Sequence, residues 1–110
     1  MPSVLIIDRD QAHSMEIADC LRARQLTVTA CRELAGGLQI LRREACTWDV
    51  VVVNVSDASQ PWVAILRHLL ETCSDKPTPA PLFLCTSRIK RDQQFQLSIE
   101  RLGVRFVYER

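Results

Sequence analysis

The sequence lacks most of the features that would announce a chemistry. It has only three glycines in 110 residues, and none follows the first apolar run, so neither a G-x-G-x-x-G turn nor a Walker loop is there to cradle a phosphate. Gly36 and Gly37 follow the second strand-like segment instead. The five cysteines, Cys20, Cys31, Cys46, Cys73 and Cys85, include no C-x-x-C pair. An odd set without that spacing suits neither a disulfide framework nor a zinc site and points to a reducing compartment. These thiols lie in or beside apolar segments and read as small hydrophobes. Charge of one sign is not in excess: fourteen basic residues against thirteen acidic ones leave a net charge of +1, which is no field for nucleic acid or an anionic membrane surface. No apolar run approaches the roughly 18 residues of a membrane span, and no signal-peptide layout opens the chain. The expectation is a cytoplasmic protein.

What is present reads as one folded domain over residues 1–110. Hydrophobic residues make up 47% and charged residues 25%, ordinary globular values, and the length suits one core, not two. The apolar pattern then alternates between continuous runs and helically spaced stripes. Residues 3–8 (Ser-Val-Leu-Ile-Ile-Asp) form a β-branched run ending in an acid, as a strand covered on both faces would. Asp10 is placed to cap a helix over 11–24, with Ser14, Ile17, Ala18, Leu21 and Gln25 as one stripe. Residues 27–31 make a second strand of weak alternation, and Leu34, Leu38, Leu41 and Ala45 return to a helical spacing that Gly36-Gly37 interrupts, a weaker second helix. Residues 49–54 (Asp-Val-Val-Val-Val-Asn) are the clearest strand, because four stiff valines resist a helix. Pro61 suits the first turn of a helix over 61–73. Three of the five prolines fall in residues 74–81 and mark a loop before the apolar run 82–85. Phe95, Ile99 and Leu102 stripe a fourth helix, Gly103 sits where its end needs a left-handed residue, and 104–108 closes as a strand.

Five strands alternating with four helices predict a doubly wound α/β layer with a parallel sheet, taken here in the flavodoxin-like order 2-1-3-4-5. Ligands in such sheets bind at the carboxyl ends of the strands where the order switches, here the loops after Asp8 and Asn54. His13 and His68 fall on predicted helix surfaces, with no Ser, Cys or acid at a dyad spacing. Asp57, three residues past Asn54, reads first as a turn or solvated acid.

With those residues in view, the chain resembles the receiver domain of bacterial response regulators (CheY-like). The resemblance runs through Val4 to Asp8, Asp49 to Asn54, Pro81 to Thr86 and Leu102 to Tyr108. It implies a signalling module that switches on phosphorylation of an Asp after strand three, near an acidic pair that holds magnesium. The polar positions depart from that pattern. Asp8 matches the first acid, but Arg9 stands where the second acid belongs, followed by Asp10. Asn54 stands at the phosphoryl-acceptor position, and an amide is neither anionic nor nucleophilic. Thr86 matches the switch hydroxyl, and Arg110 falls in the register of the phosphate-binding Lys. Val107 occupies the aromatic switch register, with Tyr108 one place later and so on the other face.

The resemblance therefore implies a degenerate receiver. It would bind a protein partner without phosphotransfer, with no catalytic residues, no metal and no cofactor. Arg9 is then either a fixed cation beside Asp8 or Asp10 or an Arg pointing into solvent. Partners in view are an output domain of a longer regulator, another signalling protein, or a second copy through the helix 4/strand 5 face. No direct contact of this domain with nucleic acid or membrane is expected. A fifth helix is missing, so strands four and five should expose apolar surface, as though the chain were the N-terminal part of a longer regulator. Two other readings stay open. One is phosphorylation at Asp57 or Asp8. The other is a flavodoxin-like small-molecule or thiol redox domain, against which stands the absence of a phosphate turn or cysteine after strand one.

Overall fold

Valine-rich and isoleucine-rich runs become the inner strands of a five-stranded parallel sheet in the computed structural model, which describes residues 2–44, 47–55, 61–74, 81–87 and 93–108. The strands are β1 (Ser3–Ile7), β2 (Thr27–Cys31), β3 (Val50–Asn54), β4 (Leu82–Ser87) and β5 (Arg105–Tyr108), in the order β2-β1-β3-β4-β5. The helices are α1 (Gln11–Ala23), α2 (Leu34–Glu44), α3 (Trp62–Ser74) and α4 (Gln93–Arg101). The fold class is the one that the alternation predicts, and the strand order is the flavodoxin-like one.

Side-chain alternation sorts the sheet into two unequal cores. Leu5, Ile7, Val51, Val53, Phe83 and Cys85 face one side, where Leu41 of α2, Leu66 and Leu69 of α3 and Ile99 of α4 pack over them. Val4, Ile6, Val28 and Val52 face the other side, where Ala18, Ile17 and Leu21 of α1 pack over them. Among the described residues three helices thus share one face and one packs on the other. On β4 and β5, Leu82 is 49% and Val107 40% exposed.

Helix ends follow local chemistry. The Asp10 side chain accepts the His13 backbone N–H at 3.1 Å and so caps α1. At the other end Gln25 does not continue the buried stripe: it adopts φ 67° and closes a Schellman turn, its N–H donating to the Arg22 carbonyl and that of Leu26 to the Leu21 carbonyl. Gly103, at φ 89°, builds the same turn on α4, with Val104 donating to Ile99. The Phe95 and Phe106 rings meet edge to face at 6.3 Å and hold α4 on β5. The double glycine does not interrupt α2. At Gly37 a Cβ would lie 2.5 Å from Ile7 Cδ1, so the missing side chain lets the helix settle directly onto β1.

Candidate functional site

The strand registers assemble one polar row at the carboxyl edge of the sheet, on the α1 face. Asn54 pairs with Thr86, and Thr86 with Val107. Asp8 follows directly on β1, whose last pair with β3 is Ile7 with Val53. Asp8, Asn54 and Thr86 are all buried.

Asp8 is 2% exposed, and both of its carboxylate oxygens are engaged. Oδ1 accepts the Asp10 backbone N–H at 2.9 Å and the Asn54 side-chain amide at 3.0 Å. Oδ2 lies 2.5 Å from Nδ1 of His13, itself 2% exposed. An ionised carboxylate only accepts, so Nδ1 carries the proton and donates. The same reasoning orients Asn54: its NH₂ must face Asp8, and its nitrogen, 3.2 Å from the same His13 Nδ1, is that atom's neighbour, not its hydrogen-bond donor. Oδ1 of Asn54 is thereby turned away, and it and the Thr86 hydroxyl are buried with no hydrogen-bond partner among the described residues.

The helix start explains how His13 reaches this pocket. Asp10 is the cap, so His13 is the third residue of α1, over the end of β1 from which the chain has just emerged. Its backbone N–H binds the cap while its ring turns to Asp8. This corrects the surface position expected for His13. The basic side chain against Asp8 is this imidazole, whereas Arg9 is exposed. His68 is exposed on α3, at the rim of an apolar groove of about 280 Å³ lined by Leu34, Leu38, Ile65 and Leu69. Burial raises the Cys31 thiol above its ordinary pKa. Cys73 and Cys85 are buried and Cys20 is exposed. Asp57, Cys46 and Arg110 lie outside the described residues. The backbone of Tyr108 pairs with Ser87, so Val107 stands next to Thr86.

The donor set does not fit a magnesium ion of the kind that the receiver resemblance implies. Mg²⁺ takes hard oxygen ligands in octahedral array and needs carboxylates to draw it from water. Among the described residues the pocket offers one carboxylate already bound by three donors, an amide and an imidazole; the Asp10 carboxylate caps α1. Among the described residues no group of three His, Cys, Asp or Glu side chains is gathered for a metal.

The sheet order, the four helices and the polar row at the switch point define a receiver-type, CheY-like fold. Solved structures agree over nearly the whole chain. A response regulator receiver domain from Clostridium thermocellum superposes with a TM-score of 0.83 at 15% identity, covering 99% of this chain and 82% of that one. An orphan response regulator of Helicobacter pylori gives 0.79 at 16%, covering 98% and 82%. A chemotaxis protein of Vibrio cholerae gives 0.77 at 14%, covering 99% and 85%. No protein-family model and no curated protein sequence matches the chain.

Proposed function

We propose that this chain is a receiver-like signalling module that acts by binding a protein partner and does not take a phosphoryl group at its strand-three position. The fold supports the signalling role through its likeness to response regulator receivers. One observation carries the rest: Asn54, at the acceptor position, spends its amide on Asp8, whose other oxygen meets His13. Phosphoryl transfer needs an anionic oxygen as nucleophile and a cation to gather charge in the transition state. Here the side chain is a neutral amide, and the Asp8 carboxylate is engaged internally. Asp8, His13 and Asn54 thus satisfy one another within the pocket.

The test is incubation with acetyl phosphate and millimolar Mg²⁺, followed by intact-mass measurement. The expected spectrum is that of the unmodified chain. An adduct of one phosphoryl group overturns the proposal, and its loss in Asp57→Ala would locate the acceptor.

A further inference from the structure

We propose that the apolar groove between α2 and α3 binds a small aromatic carboxylate of about two fused rings, with its rings against Leu34, Leu38, Ile65 and Leu69 and its acid at His68 and Arg67. The groove lies on the sheet face opposite the row of Asp8, Asn54 and Thr86, so the inference stands apart from the phosphorylation-independent reading. Two alanines open it. Leu34 and Leu38 of α2, and Ile65 and Leu69 of α3, pack on the common core. Ala35 and Ala64, both exposed, form the lips, and a methyl from each leaves the space between the helices unfilled. The groove holds about 280 Å³ over a floor that includes Leu69, which is 2% exposed. A cavity of about 150 Å³ holds benzene, so this volume suits a bicyclic ring system.

Length excludes a docked helix. The lining runs from Leu34 to Leu38 and from Ala64 to Leu69, about 6 Å and about 7.5 Å of helix axis, whereas a helix docked through residues i to i+7 covers about 10 Å. Nor does an apolar surround extend the groove for a protein partner: among the described residues the exposed large hydrophobics are Met15, Leu82, Leu97 and Val107, all outside α2 and α3. Charge sets the head group. Among the described residues His68 alone brings a polar side chain to the lining, and an imidazole N–H donates to a carboxylate. Arg67 stands beside it. These two residues follow Ala64 by three and four places, the spacing of neighbours on a helix surface, and both are exposed. Among the described residues Arg67 forms no ion pair, not even with Glu71 four places on. An anion at this lip therefore meets two donors, and a cation meets the Arg67 charge.

The probe is naphthoate, with naphthylmethylammonium as a cation of the same ring system, each titrated into the ¹⁵N-labelled chain and followed by NMR. The carboxylate is expected to give saturable shifts of the Ala35, Ala64 and His68 amides and to bind about fivefold tighter than the ammonium. Ala64→Leu, which fills the groove from its lip, should abolish binding, and Arg67→Glu should remove the preference for the carboxylate. Met15→Lys, on the other face of the sheet, should change neither. Circular dichroism verifies that these surface variants fold. Absence of saturable shifts, binding indifferent to Ala64→Leu, or an ammonium bound as tightly as the carboxylate would each overturn the inference. So would a dimer in sedimentation that Ala64→Leu dissociates, because it assigns the groove to a second copy. Phosphoryl labelling is read separately by mass, so failure here and failure of the proposed function give different results.

Discussion

The Asn54 amide nitrogen stands 3.0 Å from Asp8 Oδ1, donating between two residues that are 46 apart in sequence and neighbours at the sheet edge. This bond makes the acceptor position a structural strut. Asn54→Asp should therefore not restore phosphorylation, and it should cost stability by placing a second carboxylate against the first. Like charges raise the pKa of one member of such a pair in the folded state. The folded form then binds more protons than the unfolded one, so stability is retained below the ordinary carboxylate range and lost as pH rises through the raised value. Urea denaturation should show a loss of roughly 1–3 kcal/mol at neutral pH, shrinking as pH is lowered.

His13 is the partner that keeps the buried Asp8 tolerable. Its removal in His13→Ala leaves a desolvated carboxylate with one donor fewer, a change that costs about 1–3 kcal/mol when a buried acceptor loses its partner. His13→Gln, whose amide can still donate, should recover part of that. Equal stability of the Ala variant and the parent in urea would contradict the role given to the ring.

The adjacent glycines of α2 should respond with opposite signs. A Cβ at Gly36 meets nothing within 4 Å, whereas one at Gly37 meets Ile7 Cδ1 at 2.5 Å and Cγ1 at 2.8 Å. Gly36→Ala should stabilise by about 0.5–1 kcal/mol through helix propensity. Gly37→Ala should destabilise, since overpacking costs about 1–3 kcal/mol and outweighs that gain. Thermal melts of the two variants check the contrast.

Among the described thiols, Cys20 is exposed and should react before the others with a maleimide, while Cys73 and Cys85 are shielded. Cys31 should lag at pH 8, because desolvation holds its pKa above the ordinary 9.0 and only the thiolate attacks. The same shift has a stability consequence. The unfolded thiol ionises first, so this contribution is intact below pH 9 and declines above it. Cys31→Ala should flatten the fall in melting temperature on the alkaline side.

Most of the fold was legible because it is written in short-range pattern. The four valines of β3 and the run before Asp8 carry strand character in their own side chains, and Gly103 marks the end of α4 by its conformational freedom. The row of Asp8, Asn54 and Thr86 was legible too, since it follows from strand ends and register. His13 was not. It sits on a helix whose stripe is read from apolar spacing, and a polar residue buried by contact with a strand end falls outside that rule. The available signal was position: the third residue after a capping Asp lies over the end of the preceding strand. Gln25 was misplaced for a related reason, because a non-glycine residue at positive φ has no mark in the sequence.

The most direct measurement is a titration of the ¹⁵N-labelled chain with beryllofluoride and Mg²⁺, following the backbone amides of Val55, Thr86 and Asp10 by NMR. Beryllofluoride mimics a phosphoryl group bonded to a carboxylate. A pocket in which Asp8, His13 and Asn54 satisfy one another predicts amide shifts that stay at their starting values across the titration. A saturable shift of Val55 and Thr86 together would show a phosphoryl mimic seated at the end of β3 and contradict the phosphorylation-independent reading.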